Sequence, residues 1–598
     1  MKAIALPVLC LTLIASLPAQ DPTEARGDPI ALAAHHAAVI EPPHGGPNPN
    51  PPPPPPQRPP VPQYRPQDAN TGAPPADIPP PAPRTGPSTP PVTPGAAGAA
   101  PRSGSSPRGT PLADLQDSSW TQWWNWNRDN FEGPQPLAVP VGRTTAAAPV
   151  RTTAERVLVS LCASSNSVER SAAVQALGRI GANPELLRGH LEDPAREVRF
   201  ATLLGLGSAG SAAHTHALIS QTRNQPDEEV LSVAFAGLAM THEGALARTI
   251  DATLESSLDD ARLEVVAAAA LARSALGAPG LRTKALATLK TGKTPLHRAV
   301  AAQSLGLEAD DGAVAALTMA VGERNADVRR SAALALGRSH HAMALPALQN
   351  AFELEHDQLT RAMLLLAIGD HGGLAARNLL CAEITTGSKA LRGFAALALG
   401  LWGRARADES VAAAIQKALA AERNGDQRGA YLLALGLLRH RASLDLLSGE
   451  LTAGNTSATR GAAASALGML GDGAALAVLA RSLREDTGPE VRAHVARALT
   501  SLGLPAIETL RTAMREDPSS DVRGTAAFAL GGIAEPSVAV ALVELARDQG
   551  APATARAGAA LGLGRHFRCH DPQLPALRFQ HDYTVLPALV AWSFGQEL

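Results

Sequence analysis

From Arg151 to Gly564 the chain restates one pattern about every 32 residues, and no other feature restricts its fold so strongly. In RRSAALALG, Arg329 is followed eight residues later by Gly337. Comparable segments start at Arg170, Arg199, Leu231, Glu264, Arg298, Arg329, Arg361, Arg392, Arg428, Arg460, Arg492, Arg523 and Arg556, at intervals of 29 to 36 residues. Ten of them carry Gly at the eighth position; Ala239, Ala272 and Thr500 stand there in the others. Between these segments lies a second apolar stretch, such as AVAALTMAVGE (Ala313 to Glu323) or LPALQNAFELE (Leu345 to Glu355). Aromatic residues make only 3% of a chain that is 45% hydrophobic, so Ala, Leu and Val must build its core. Ala and Leu favour helix, whereas strands draw on aromatic and β-branched residues. Each unit therefore reads as a helical hairpin that cannot bury its apolar side alone and must stack on its neighbours. The pattern predicts an all-α chain, an α-solenoid of about 13 hairpins over 151–564. With helix axes about 8–10 Å apart, the stack would be a rod or arc roughly 100–130 Å long.

Within each unit the recurrent residues have readable roles. An acidic residue often stands two before the anchor arginine, as in Glu197, Asp327, Asp426, Glu490 and Asp521. At a helix start such carboxylates cap N–H groups and complement the dipole. The Gly either ends its helix or lets a neighbour approach closely. The arginines Arg170, Arg199, Arg298, Arg329, Arg361, Arg392, Arg428, Arg460, Arg492, Arg523 and Arg556 would line up along the stack. They are expected to pair with carboxylates of their own or the adjacent repeat as an internal ladder; the competing reading is a surface for an acidic ligand.

Motifs such as VRFATLLGLG (Val198 to Gly207), VRRSAALALG (Val328 to Gly337) and DVRGTAAFALGGI (Asp521 to Ile533) resemble the short HEAT repeats of bacteria, the PBS-lyase type. The resemblance covers 151–564 and implies a scaffold fold without implying a reaction. The layout as a whole is similar to exported HEAT-repeat proteins of planctomycete-type bacteria. In these a leader and a variable linker precede a WxxWW-N motif, matched here by Trp120, Trp123, Trp124 and Asn127.

Ahead of the repeats, residues 1–19 read as a signal peptide: Lys2, an apolar run to Leu17, then small residues. Residues 20–111 read as a disordered proline-rich linker, with 27 of the 49 prolines between Glu41 and Pro111. Proline removes backbone donors and fixes φ, so an extended spacer is expected there. In residues 112–150, Trp120, Trp123, Trp124 and Phe131 follow helical spacing. This aromatic helix is expected to cap the open N-terminal end of the stack, the competing role being a platform for sugar or a partner. Residues 565–598, rich in aromatic side chains, are expected to cap the other end.

Little in the sequence carries chemistry. No Walker loop, GxSxG, HExxH or CxxC occurs. Deoxyhypusine hydroxylase, an enzyme of the resembled fold, holds di-iron on several His-Glu pairs; here only His242-Glu243 occurs. The tail GRHFRCHDP and His581 supply His566, Cys569, His570 and His581 as metal-ligand types, without a structural zinc spacing. No cofactor is expected. Cys162, Cys381 and Cys569 would lie too far apart along a rod to form disulfides. With 53 basic and 55 acidic residues, no excess charge drives nucleic-acid binding. The expected protein is a monomeric, exported (periplasmic or extracellular), non-catalytic scaffold without a transmembrane segment in the mature chain, binding a protein or peptide along the solenoid. The alternatives are an enzyme or enzyme subunit on the same framework, metal-dependent or lyase-like, and a glycan-binding envelope module using the tryptophans.

Overall fold

The computed structural model describes Trp120, Thr121, Trp124 and residues 148–568, except 224, 242–245, 261, 278–279, 307–308 and 405–407. Among the described residues all regular structure is helical, an α-solenoid of thirteen helical hairpins running from Ala148–Cys162 to Ala553–His566. The two helices of a hairpin differ in character. The first helix of the seventh repeat, Ala344–Leu354, buries Ala344, Leu348 and Phe352, one residue per turn on a single face. The second helix of the sixth, Ala326–Ser339, is buried from Arg330 through Gly337 with no polar stripe. A helix apolar all round must be covered all round, and here its own first helix and both neighbouring second helices supply the cover.

Helix starts are set by side chains just ahead of the acidic positions. Asn325 caps the sixth second helix through the amides of Asp327 and Val328, and Asn424 caps the ninth through Asp426 and Gln427. The acids themselves, Glu197, Asp327, Asp426, Glu490 and Asp521, occupy the first turns, where they complement the dipole without being caps.

The glycines govern close approach. At Gly337 a Cβ would lie 2.6 Å from the carbonyl oxygen of Ala367 in the next repeat; at Gly306 one would lie 2.7 Å from the Cα of Ala335. The helices run on past Gly337 and Gly369 whereas Gly306 caps the end of its own, so close packing is the role these glycines share. Each touches the residue six positions after the next anchor: Gly178 meets Gly205, Gly369 meets Ala398, Gly468 meets Ala498 and Gly531 meets Gly562. Where Thr500 replaces the Gly, its hydroxyl donates to the carbonyl of Ala529 at 3.3 Å, keeping the same address. A mid-helix Gly costs about 1 kcal/mol relative to Ala, which backbone-to-backbone packing offsets.

The same contact also joins the ends of the solenoid. A Cβ at Gly564, in the thirteenth repeat, would lie 2.7 Å from the Cα of Ala176 in the first. Ala176 stands six positions after Arg170, so the register is that of every internal step. The second helix Ala553–His566 packs on Ser167–Arg179, and the first helix Pro536–Arg547 packs on Ala148–Cys162. The thirteen hairpins thus close into a ring. Consecutive second helices pack far more extensively than consecutive first helices, which puts the second helices on the smaller circumference.

Closure corrects the expected open rod or arc: the estimated length of about 100–130 Å becomes a perimeter. It also removes the exposed ends that the segments 112–150 and 565–598 were expected to cap, because the first and last repeats cover each other. The cysteine argument changes with it. Cys162 and Cys381 carry no disulfide, but Cys162 lies in a repeat adjacent to the last, so distance along a rod no longer separates it from Cys569, which is outside the described residues.

Candidate functional site

The anchor arginines pair along the turns between first and second helices, and the carboxylates they use are not those two residues ahead. Arg329 pairs through Nε with Glu355 at 2.6 Å and donates to the carbonyl of Glu323 at 3.0 Å. Glu323 in turn holds Arg298 at 2.8 Å through its carboxylate. A residue six before an anchor therefore joins two repeats: its carbonyl takes its own arginine and its carboxylate takes the preceding one. Asp193 links Arg170 to Arg199 this way, and Asp486 links Arg460 to Arg492. Arg492 continues to Asp517 at 2.8 Å, and Arg428 pairs with Glu450. Arg361, Arg392 and Arg523 donate to the carbonyls of Glu355, Gly387 and Met514, and Arg361 also covers the Phe352 ring.

At the seam the first repeat has Ser164 at the bridging position. Its carbonyl accepts from Arg170 and its hydroxyl donates to Glu169, whose other oxygen takes Arg556 at 3.0 Å. Ser164 and Glu169 together thus replace one bridging acid.

The hydrogen bond from Arg170 holds the Asp193 carboxyl below the usual carboxylate range, against burial that would raise it. For Asp486, burial acts upward but Arg460 and the Gly488 amide outweigh it, and the net direction is down. The guanidinium groups are thus engaged by carboxylates and carbonyls of the turns between the two helices of each hairpin. The acids at this position, Asp193, Glu323, Glu355, Asp486 and Asp517, recur in the sequence and could have been found by extending the register six residues upstream.

The surface feature that does hold a peptide is a seat for Trp120. The indole lies across two second helices, Lys389–Trp402 of the eighth repeat and Gly425–Leu437 of the ninth. In the position just after the anchor, nine of the thirteen repeats carry a side chain, such as Ser171, Phe200 and Arg330; Gly461 and Gly524, which face the His494 ring and the Thr554 carbonyl, are two of the four exceptions. Here that position is Gly393 and Gly429. A Cβ on Gly393 would collide with Trp120 Cδ1, and one on Gly429 would lie 2.9 Å from its Cη2. Trp120 and Trp124 are each 3% exposed. One contact is incomplete. Trp120 Nε1, a donor, and Gln427 Oε1, an acceptor, are both buried without a hydrogen-bond partner, although both adjoin the Gly393 position.

The seat lies seven repeats along from the first, so Trp120 does not cover the N-terminal end of the stack as expected. Trp123 and Phe131 lie outside the described residues. Of the metal-ligand types, His566 ends the last helix; burial drives its imidazole pKa down, partly countered by a hydrogen bond to the Ile533 carbonyl. Its ring meets Phe567 edge-on at 4.9 Å. Cys569, His570, His581 and the His242-Glu243 pair lie outside the described residues. Among the described residues, no three His, Cys, Asp or Glu side chains converge as a metal site, and no helix is long and apolar enough to cross a membrane.

A family model described as HEAT repeats matches residues 154–239, 282–369, 411–500 and 483–564, together more than half of the chain. No curated protein matches the sequence. Among solved structures, human deoxyhypusine hydroxylase in complex with glycerol is similar at 21% identity over 43% of this chain and 97% of its own, with a TM-score of 0.21. YibA of Escherichia coli is similar at 18% identity over 45% of this chain and 94% of its own, TM-score 0.28. The karyopherin Kap121p, bound to the extreme C-terminus of the protein phosphatase Cdc14p, is similar at 15% identity over 70% of this chain and 54% of its own, TM-score 0.33. None of these likenesses carries an activity to this chain.

Proposed function

The chain belongs to the HEAT-repeat family, and from that premise we propose that it is an exported, non-catalytic scaffold that binds a protein or peptide partner on its ring. The observation that carries this reading is the seat: two repeats already hold an aromatic segment that belongs to no repeat. Solenoids present long surfaces made of many similar helices, and such surfaces suit extended ligands. Exposed apolar side chains lie in the neighbouring units, with Met319, Met343, Leu354 and Leu374 each more than 60% exposed across repeats six to eight. Isolated apolar residues are ordinary on a surface, but several methionines and leucines in adjacent units favour a contact zone. Export is proposed from Lys2, the apolar run to Leu17 and the small residues after it. A glycan platform has less support, because stacking on sugar needs open indole faces and Trp120 and Trp124 offer none.

The test is affinity capture with the full chain, followed by rebinding of each recovered partner in purified form. A partner that binds the purified ring with a defined stoichiometry, and loses affinity when Met343 and Leu374 are replaced by Asp, supports the reading. If no recovered protein rebinds in purified form, the reading fails.

A further inference from the structure

We propose that the Gly393–Gly429 seat is a recognition site for tryptophan-bearing peptide segments, and that the chain's own Trp120 occupies it as a resident competitor. The inference rests on the scaffold reading and names the class of ligand. Glycine near the start of a helix weakens that helix by roughly 1 kcal/mol relative to Ala, so each such glycine calls for a packing reason; for Gly461 it is the His494 ring and for Gly524 the Thr554 carbonyl, whereas Gly393 and Gly429 share one neighbour. That neighbour is an indole lying across both backbones. The recognised group is an indole: Trp120 is helical, buried and laid against both glycines.

The resident fit also leaves something to gain. Trp120 Nε1 and Gln427 Oε1 are a complementary donor and acceptor, buried side by side and unjoined. A buried polar group without its partner costs about 1–3 kcal/mol, so an incoming tryptophan that closed this bond would have an advantage over the resident one. Occupancy by the chain itself then sets a threshold. A tethered segment acts at an effective concentration on the order of 1 mM, so an external peptide with a Kd of about 50 µM is weakened roughly 20-fold by competition.

The probe is a synthetic peptide of residues 114–132, labelled and titrated against three full-length proteins: the wild type, Trp120→Ala/Trp124→Ala, and that double variant with Gly393→Leu and Gly429→Leu added. The expected result is binding about 10-fold or more tighter to the emptied seat than to the wild type, and its loss when the seat is filled by leucines. Helical circular dichroism and melting confirm that each variant is folded. Equal affinity for wild type and emptied seat, or undiminished binding to the leucine-filled seat, would each overturn the proposal. These outcomes are separable from the scaffold reading: a purified partner that binds regardless of Gly393 and Gly429 leaves the scaffold standing and removes the seat as its site.

Discussion

Arg556 in the last repeat meets Glu169 in the first at 3.0 Å, with Glu169 only 2% exposed and Arg556 11%. The pair fastens the chain's two ends, and Ser164 holds Glu169 in place from its other oxygen. Breaking a buried pair by removing one partner leaves the other charge buried and uncompensated.

Replacing Glu169 with Ala is therefore expected to destabilise the ring by about 3–5 kcal/mol. Hydrogen exchange should show protection falling in the first and last repeats together. Loss confined to the first repeat would contradict a closed ring.

The seam packing makes a second prediction. Gly564→Val places a branched side chain where even a Cβ meets Ala176 at 2.7 Å, and overpacking of this kind costs about 1–3 kcal/mol. Small-angle scattering should record a larger radius of gyration as the seam parts. Gly449→Ala is the control: its Cβ would meet nothing within 4 Å, and helix propensity predicts a gain of about 1 kcal/mol. Equal melting shifts for the two variants would remove close approach as the role of Gly564.

The ladder makes stability depend on acid. Asp193, Glu355 and Asp486 all have folded pKa values below their ordinary ones: Asp193 mainly through the Arg170 hydrogen bond, the other two through arginine and amide contacts that outweigh burial. A depressed carboxyl contributes stability that is fully present above its unfolded pKa, about 4, and is lost as pH falls through the folded value. Urea midpoints should thus hold steady from neutral pH down to about 5 and fall steeply below 4. Arg460→Gln should flatten that fall while lowering the neutral-pH midpoint; an unchanged acid limb would mean the ladder is not what titrates.

Thiol chemistry separates buried from accessible repeats. Burial pushes the Cys162 thiol up to about 12, so almost no thiolate exists at pH 8. Iodoacetamide should leave Cys162 unmodified in the native protein and label it in urea, at a rate that tracks unfolding. Native labelling of Cys162 on the timescale of an exposed thiol would show that the first repeat opens independently of the ring.

Much of this architecture can be read locally. The interval of about 32 residues, the anchor arginines and the glycines eight residues on imply paired helices, buried second helices and arginines that serve the stack. The bridging acids, such as Asp193 and Glu355 six residues ahead of an anchor, are equally legible, but the first-turn acids two residues ahead stand nearer in sequence and offer the more obvious partners. The seat was hidden for a different reason. Gly393 and Gly429 look like any helix glycine until Trp120, from a segment far upstream, is laid across them.

Sequence alone settled the repeating unit, because helix periodicity, capping and small-residue packing act within one hairpin and its neighbour. It could not settle closure. Gly564 and Ala176 are the residue types, in the same register, of internal steps such as Gly369–Ala398 and Gly468–Ala498, so their pairing does not mark a seam in the sequence. Whether the ends meet depends on the small rotation between repeats summed over thirteen of them, a global quantity that becomes visible only when the last helix is found against the first.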